Sequence, residues 1–161
     1  MHGIQAGVKD EPFEVSLKNS EVAVAKACVL LQKTGYTTIR LQREKNHPDH
    51  GDILIYRQDD RGVKSDFHTV DAKQNFNWKS GHNFPYPTIY QTANDELHFS
   101  WWYIIFNNDL SRAAFVDMNR VPEGLVTYDE TTNRRGHPQL SSAVPLQDEY
   151  GLSYVGFKEI K

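Results

Sequence analysis

Two strand-like segments that carry charged residues constrain this chain more than any other feature. Residues 51–56 read Gly-Asp-Ile-Leu-Ile-Tyr, and residues 67–74 read Phe-His-Thr-Val-Asp-Ala-Lys-Gln. Because strand side chains alternate between the two faces of a sheet, Asp71 and Lys73 should point the same way, about 7 Å apart along the backbone. A carboxylate and an amine on a central strand are costly to bury unless they pair or bind a metal. The pattern therefore predicts a paired or metal-bound charged site, joined by Asp52 from the preceding strand.

The N-terminal half of the sequence predicts one helix followed by strands. Residues 20–34 form the first clear helical pattern. Ser20 is a favourable N-cap, Glu21 suits the positive N-terminal dipole, and Gly35 is a natural stop. Three strand-like segments follow: 36–42 with Ile39 and Leu41 turned inward, 52–58, and 66–74.

The C-terminal half begins with an unusual segment, because residues 75–96 are rich in aromatic residues, Asn and Pro and show little periodicity. Such a segment is long for a plain connector. It is either a lid that packs its aromatic side chains over the sheet or a substrate loop that offers stacking faces and amide hydrogen bonds. The remaining expectations are strands at 97–106 and 111–118 with a hairpin turn at 107–109, a turn-rich stretch at 119–150 and a short last strand within 152–157.

The composition predicts a single domain over residues 1–161, with a core at about 20–118, a polar N-terminal arm and a C-terminal extension. The longest apolar run, Trp101 to Phe106, is too short to span a membrane, and the N-terminus lacks the apolar core of a signal peptide. The single cysteine, Cys28, excludes an internal disulfide. These features predict a soluble cytoplasmic protein with no membrane partner.

The net charge of −3 argues against nucleic-acid binding through an overall basic surface. It does not argue against a nuclease, whose acidic site meets phosphate through metal cations. Binding to DNA would then require local basic groups. The candidates are Arg40, Arg43 and Lys45 in one run, Lys73 and Lys79 in a second, and Arg134 with Arg135.

The succession Asp52, then Asp71-Ala72-Lys73 19 residues downstream, resembles the motif of the PD-(D/E)xK nuclease superfamily. The first acid follows Gly51 instead of the proline of the motif's name. The expected order of helix, strand, strand and strand, with the acids on the second and third strands, is also similar to the start of that family's core. The resemblance implies an α/β fold: a mixed central β-sheet flanked by helices, with a restriction-endonuclease-like core.

The resemblance also implies a metal-dependent DNA endonuclease. Asp52, Asp71 and the carbonyl of Ala72 would hold Mg²⁺, with Mn²⁺ as a substitute, and Lys73 would orient the attacking water or stabilise the phosphate charge. Family members often add an acid from the first helix, for which Glu21 is the candidate. The side chains expected to contact substrate are Arg40, Arg43, Lys79, Trp78 and Asn75.

A single-domain nuclease has one active site, so cutting both DNA strands favours a homodimer. The aromatic run Trp101-Trp102-Tyr103 is the candidate interface, although alternation is expected to bury half of it.

Three alternatives stand beside this interpretation. The Asp and Lys residues could form a structural ion pair, and the chain could be a non-catalytic DNA- or protein-binding module on the same fold. A zinc site could involve His47, His50 and a nearby carboxylate, although Pro48 disfavours a helix that would place both imidazoles on one face.

Overall fold

The computed structural model describes residues 13–41, 52–92, 102–132, 136, 138–146 and 154–160. These residues form one α-helix and nine strands. Their bounds are α1 Phe13–Lys33, β1 Thr37–Arg40, β2 Ile53–Gln58, β3 Lys64–Gln74, β4 Thr88–Thr92, β5 Trp102–Phe106, β6 Arg112–Asp117, β7 Thr127–Thr132, β8 Pro138–Pro145 and β9 Val155–Glu159. The chain is therefore mostly sheet across the described ranges.

The strands form a six-stranded sheet in the order β1-β2-β3-β5-β6-β9 and a three-stranded sheet in the order β4-β8-β7. In the larger sheet β3 and β5 are parallel, and every other neighbouring pair is antiparallel. The expected mixed α/β sheet is thus confirmed. The expectation of flanking helices is only half met, because the part of the chain that the structure describes supplies a helix to one face only.

Helix α1 covers one face of the six-stranded sheet, called here the helix face. Its buried residues pack in one cluster with alternate residues of four strands: Ala23, Val24, Ala27, Cys28, Leu31, Ile53, Ile55, Val70, Ala72, Ile104, Phe106 and Ala113. The opposite face, called here the second face, carries the intervening residues of β5 and β6. Tyr103, Ile105, Ala114 and Val116 pack there with Ile89 of β4 and with Trp78. The smaller sheet therefore takes the place of a second helical layer.

The helix ends where the sequence predicts but begins earlier. Gly35 adopts φ +94°, and its N–H donates to Gln32 O while the Tyr36 N–H donates to Leu31 O. These two bonds are the Schellman pattern that a glycine in the left-handed region permits. The start at Ser20 was wrong, because α1 begins at Phe13 and Ser20 lies in its interior.

Several other expectations need correction. Ile39 was expected to turn inward, but its side chain is 44% exposed because β1 is the edge strand of the larger sheet. The stretch 119–150 was read as turns, yet it contains β7 and β8. The last strand is β9, which begins later than expected. The hairpin turn at 107–109 is confirmed, since β5 and β6 pair antiparallel across it.

No described helix is both long enough and apolar enough to cross a membrane.

Candidate active site

Asp52, which immediately precedes β2, lies next to Asp71 of the adjacent strand β3. The backbone N–H of Asp52 donates to Val70 O at 3.0 Å. The Asp52 carboxylate accepts a hydrogen bond from the backbone N–H of Ala72, with Oδ2 at 3.0 Å. Asp52 thus bridges the two residues that flank Asp71 on β3. The cross-strand proximity expected from the sequence is therefore present, and the two side chains are 6% and 8% exposed respectively.

Strand alternation assigns Asp71 and Lys73 to the second face. Val70 and Ala72 belong to the cluster under α1, so the residues next to them along β3 point away from the helix. Lys73 is half-buried. The shared orientation of Asp71 and Lys73 expected from the sequence agrees with this packing.

A side chain from the smaller sheet is hydrogen-bonded to the Asp71 carboxylate. Gln91 of β4 donates from Nε2 to Asp71 Oδ2 at 2.9 Å, and both groups are buried. The Ser142 hydroxyl on β8 in turn donates to the backbone carbonyl of Gln91 at 3.4 Å. Sequence reasoning missed Gln91, because the only local signal is a glutamine inside a short strand and its partner lies 20 residues away.

Tyr103 is a second residue that the sequence did not assign to the site. It lies directly opposite Asp71 in the parallel pairing of β3 with β5. Burial raises the pKa of its phenol far above the ordinary value, and the charges of Asp71 and then Asp52 raise that pKa further. The phenol therefore stays neutral beside the two carboxylates.

The aromatic run 101–103, expected to form a dimer interface, is largely engaged within the chain itself. Tyr103 is buried in the second-face cluster and cannot present its ring to another molecule. The Trp102 ring stacks on His68 at a centroid distance of 5.0 Å and meets Tyr36 edge-on at 5.6 Å. Trp101 lies outside the described residues.

The oxygen-rich donor set fits a hard divalent cation. Mg²⁺ is commonly bound by one or two carboxylates together with phosphate oxygens and waters. Asp52 and Asp71 are the two carboxylates that this region offers to such an ion. Because the N–H and C=O of one strand residue point to the same neighbour, the Ala72 carbonyl points to the side from which Asp52 receives the Ala72 N–H. Among the described residues, no three His, Cys, Asp or Glu side chains lie close enough to hold a metal, so any site has two carboxylates at most from this set.

Glu21 lies away from the start of the helix. It is exposed and lies within α1, well after the first turn, so its expected place at the helix start was wrong. Helix α1 packs on the helix face, whereas Asp71 points to the second face. That Glu21 joins the carboxylates stays a prediction.

Of the basic residues expected to contact substrate, Arg40 and Lys79 are described, and both are exposed. Arg40 is exposed at the end of β1 and pairs in register with Ile53, a residue of the helix face, so it lies on the α1 side of the sheet edge. Lys79 is exposed in the turn after β3. Arg43 lies outside the described residues, as do Lys45 and the histidines of the zinc alternative.

Trp78 and Asn75, expected to contact substrate, are instead buried in contacts within the chain. Trp78 is fully buried, and its indole Nε1–H donates to His82 O at 2.9 Å. Asn75 is buried and accepts the backbone N–H of Asn77 on its side-chain oxygen at 3.0 Å. Of the two alternatives for the segment that starts at Asn75, a lid or a substrate loop, these contacts favour the lid. Its tryptophan lies in the core and is not available for stacking on a base.

Comparisons with known proteins add no relative. No family model matches the chain, and no curated protein or solved structure matches it either.

Proposed function

We propose that this chain is a Mg²⁺-dependent nuclease that hydrolyses DNA phosphodiester bonds endonucleolytically at Asp52, Asp71 and Lys73. One observation carries the proposal: Asp52 is hydrogen-bonded to the strand residue between Asp71 and Lys73, so both carboxylates and the amine belong to one small region of the sheet. Two buried carboxylates are costly without a compensating cation, and a bound divalent ion together with Lys73 would supply that compensation.

The topology supports a restriction-endonuclease-like core as part of the same proposal. Helix α1 is followed by the antiparallel succession β1-β2-β3. Asp52 immediately precedes the second strand, and Asp71 lies within the third. This is the order that the resemblance implies. The crossover from β3 then leads to a parallel neighbour, β5.

Each residue has a distinct role in the proposed reaction. Asp52, Asp71 and the Ala72 carbonyl would hold Mg²⁺, and Gln91 fixes the orientation of the Asp71 carboxylate through its 2.9 Å hydrogen bond. When bound, the ion would stabilise the charge on the scissile phosphate and make a water more acidic. Lys73 would orient that water or neutralise the developing phosphate charge. Tyr103 would place a neutral, buried side chain beside Asp71.

We also propose that the chain forms a homodimer and acts in the cytoplasm. One site per chain cuts one strand at a time, so a double-strand break would need a homodimer with two-fold symmetry. The free, buried thiol of Cys28 is compatible with action in the reducing cytoplasm.

A second candidate function is a non-catalytic binding module on the same fold, with DNA or another protein as its partner. The cover over Asp71 favours it, because Gln91 of β4 occupies one carboxylate oxygen and leaves Asp71 only 8% exposed. In that case the charged residues would serve only to stabilise the sheet.

Cleavage of supercoiled plasmid distinguishes the two candidates. Wild type would be incubated with Mg²⁺, Mn²⁺ or EDTA beside Lys73→Ala and Asp71→Asn, and Lys158→Ala would be the matched control because Lys158 is exposed on β9. We expect metal-dependent cleavage of plasmid, single-stranded or branched DNA by wild type and the control, with a loss of at least about a hundredfold in the two site variants. Wild type that cuts no plasmid, single-stranded or branched DNA would favour the binding module. Equal cleavage by all four proteins would refute the proposed site.

A further inference from the structure

A β-bulge reshapes β3 before it reaches the carboxylates. Ile55 pairs with His68, but Arg57 pairs with Ser65, so the register shifts by one residue between them. Tyr56 therefore faces two residues of β3, Asp66 and Phe67. Asp66 adopts φ +54°, in the left-handed region. A bulge of this kind re-aims the side chain that follows it.

The re-aimed side chain is an exposed aromatic ring. Phe67 is 54% exposed, and its ring stacks on Tyr56 at a centroid distance of 5.4 Å and an interplanar angle of 29°. Lys64 places its Nζ over the Tyr56 ring, 4.9 Å from the centroid. An exposed ring on a fixed partner, with a cation beside it, is the combination that binds an unpaired base and its phosphate. Phe67, Tyr56 and Lys64 are called here the stacking platform.

The stacking platform shares a strand and a face with the proposed active site. Beyond the bulge, strand alternation puts Phe67 on the same face as Asp71 and Lys73. Asp71 lies four positions after Phe67, which is about 13 Å along a strand. That distance is within the reach of the roughly 4–16 nucleotides that single-strand binding folds engage.

We infer that the substrate is single-stranded nucleic acid, an inference that rests on the proposed function. A duplex keeps its bases stacked inside, so it cannot offer a base to Phe67. Its stiff backbone is also poorly suited to a site whose carboxylates are 6% and 8% exposed. A flexible strand meets both conditions, because it can stack one base on Phe67 while another of its phosphates enters the site.

Binding measured without cleavage tests this inference apart from activity. A labelled strand of about 20 nucleotides and the corresponding duplex would be titrated by fluorescence anisotropy, with Ca²⁺ replacing Mg²⁺. We expect wild type to bind the strand at least about tenfold more tightly than the duplex. Phe67→Ala should weaken strand binding about tenfold, and Phe67→Trp should restore it. Val63→Ala is the matched control, because Val63 is an exposed apolar residue of the same hairpin.

The outcomes separate the inference from the proposed function. Equal affinity for strand and duplex, or equal strand binding by Phe67→Ala and Val63→Ala, would overturn the single-strand assignment even if plasmid cleavage succeeds. Strand binding that depends on Phe67 would support it even if no cleavage is found, and in that case only the nuclease proposal fails. Circular dichroism of Phe67→Ala would show that the exposed position leaves the fold intact.

Discussion

Asp71 of β3 and Gln91 of β4 form a buried hydrogen bond that links the two sheets. Replacing Gln91 with Met keeps an unbranched side chain of similar size but leaves Asp71 Oδ2 without its amide donor. We expect the free energy of unfolding in urea to fall by about 1–3 kcal/mol. Gln58→Met is the control, since that side chain is exposed and bonds only to Gly62 O. An equal loss in both variants would contradict a stabilising role for the Asp71–Gln91 contact.

Mg²⁺ should stabilise the folded chain through Asp71. At a Mg²⁺ concentration of about ten times Kd, binding adds about 1.4 kcal/mol, which raises Tm by about 3–6 °C for a chain of this size. Asp71→Asn should lose that gain when each protein is compared with itself in EDTA. Asp66→Asn should keep it, because Asp66 is exposed on the same strand and Asn tolerates its positive φ. A full gain in Asp71→Asn would remove Asp71 from the metal site.

Stability at alkaline pH should depend on Tyr103. Its folded-state pKa is raised, first by burial and then by Asp71 and Asp52, while the unfolded chain releases the phenolic proton near pH 10. The stabilising contribution is therefore complete below about pH 10 and is lost as pH rises further, by about 1.4 kcal/mol per pH unit. Tyr103→Phe should flatten this slope in urea unfolding, whereas the exposed Tyr128→Phe should not. An unchanged slope in Tyr103→Phe would be inconsistent with the burial of this phenol beside the acids.

The positive φ of Asp66 at the bulge predicts that one substitution is tolerated and another is destabilising. Its φ of +54° suits glycine, and the ion pair with Arg57, at 3.9 Å and well exposed, is worth little. Asp66→Gly should therefore unfold in urea within about 0.5 kcal/mol of wild type. Asp66→Val should lose about 1–2 kcal/mol, because a branched residue is strained in this region. Similar stabilities for Gly and Val would argue against the left-handed conformation.

The features that the sequence predicted are those set by neighbouring residues. Gly35 ends α1 because a left-handed residue is needed within one turn of the helix end. The hairpin turn at 107–109 follows from local turn chemistry, and the strand alternation that groups Asp71 with Lys73 has a period of only two residues. The helix start was missed because Ser20 has the chemistry of a cap, although Phe13 and Leu17 extend the helical spacing of Val24 upstream of Ser20.

The features that the sequence missed depend on pairing between distant segments. Gln91 reaches Asp71 only because β4 pairs with β8, and neither strand has a strong local signal. Tyr103 became a site residue through parallel pairing with β3, which alternation within its own strand cannot reveal. Ile39 has the sequence of an inward residue, but its exposure is decided by the position of β1 at the edge of the sheet.

The pairing of Gln91 with Ser142 also bears on the order in which the strands pair during synthesis. The two residues are 51 positions apart, whereas the hairpin of β2 and β3 closes over a short loop and can form as soon as both strands exist. Long-range strand pairing is slow to form, and synthesis proceeds from the N-terminus. In the growing chain, we therefore expect water to reach Asp52 and Asp71 first and to be displaced only after β8 has been made.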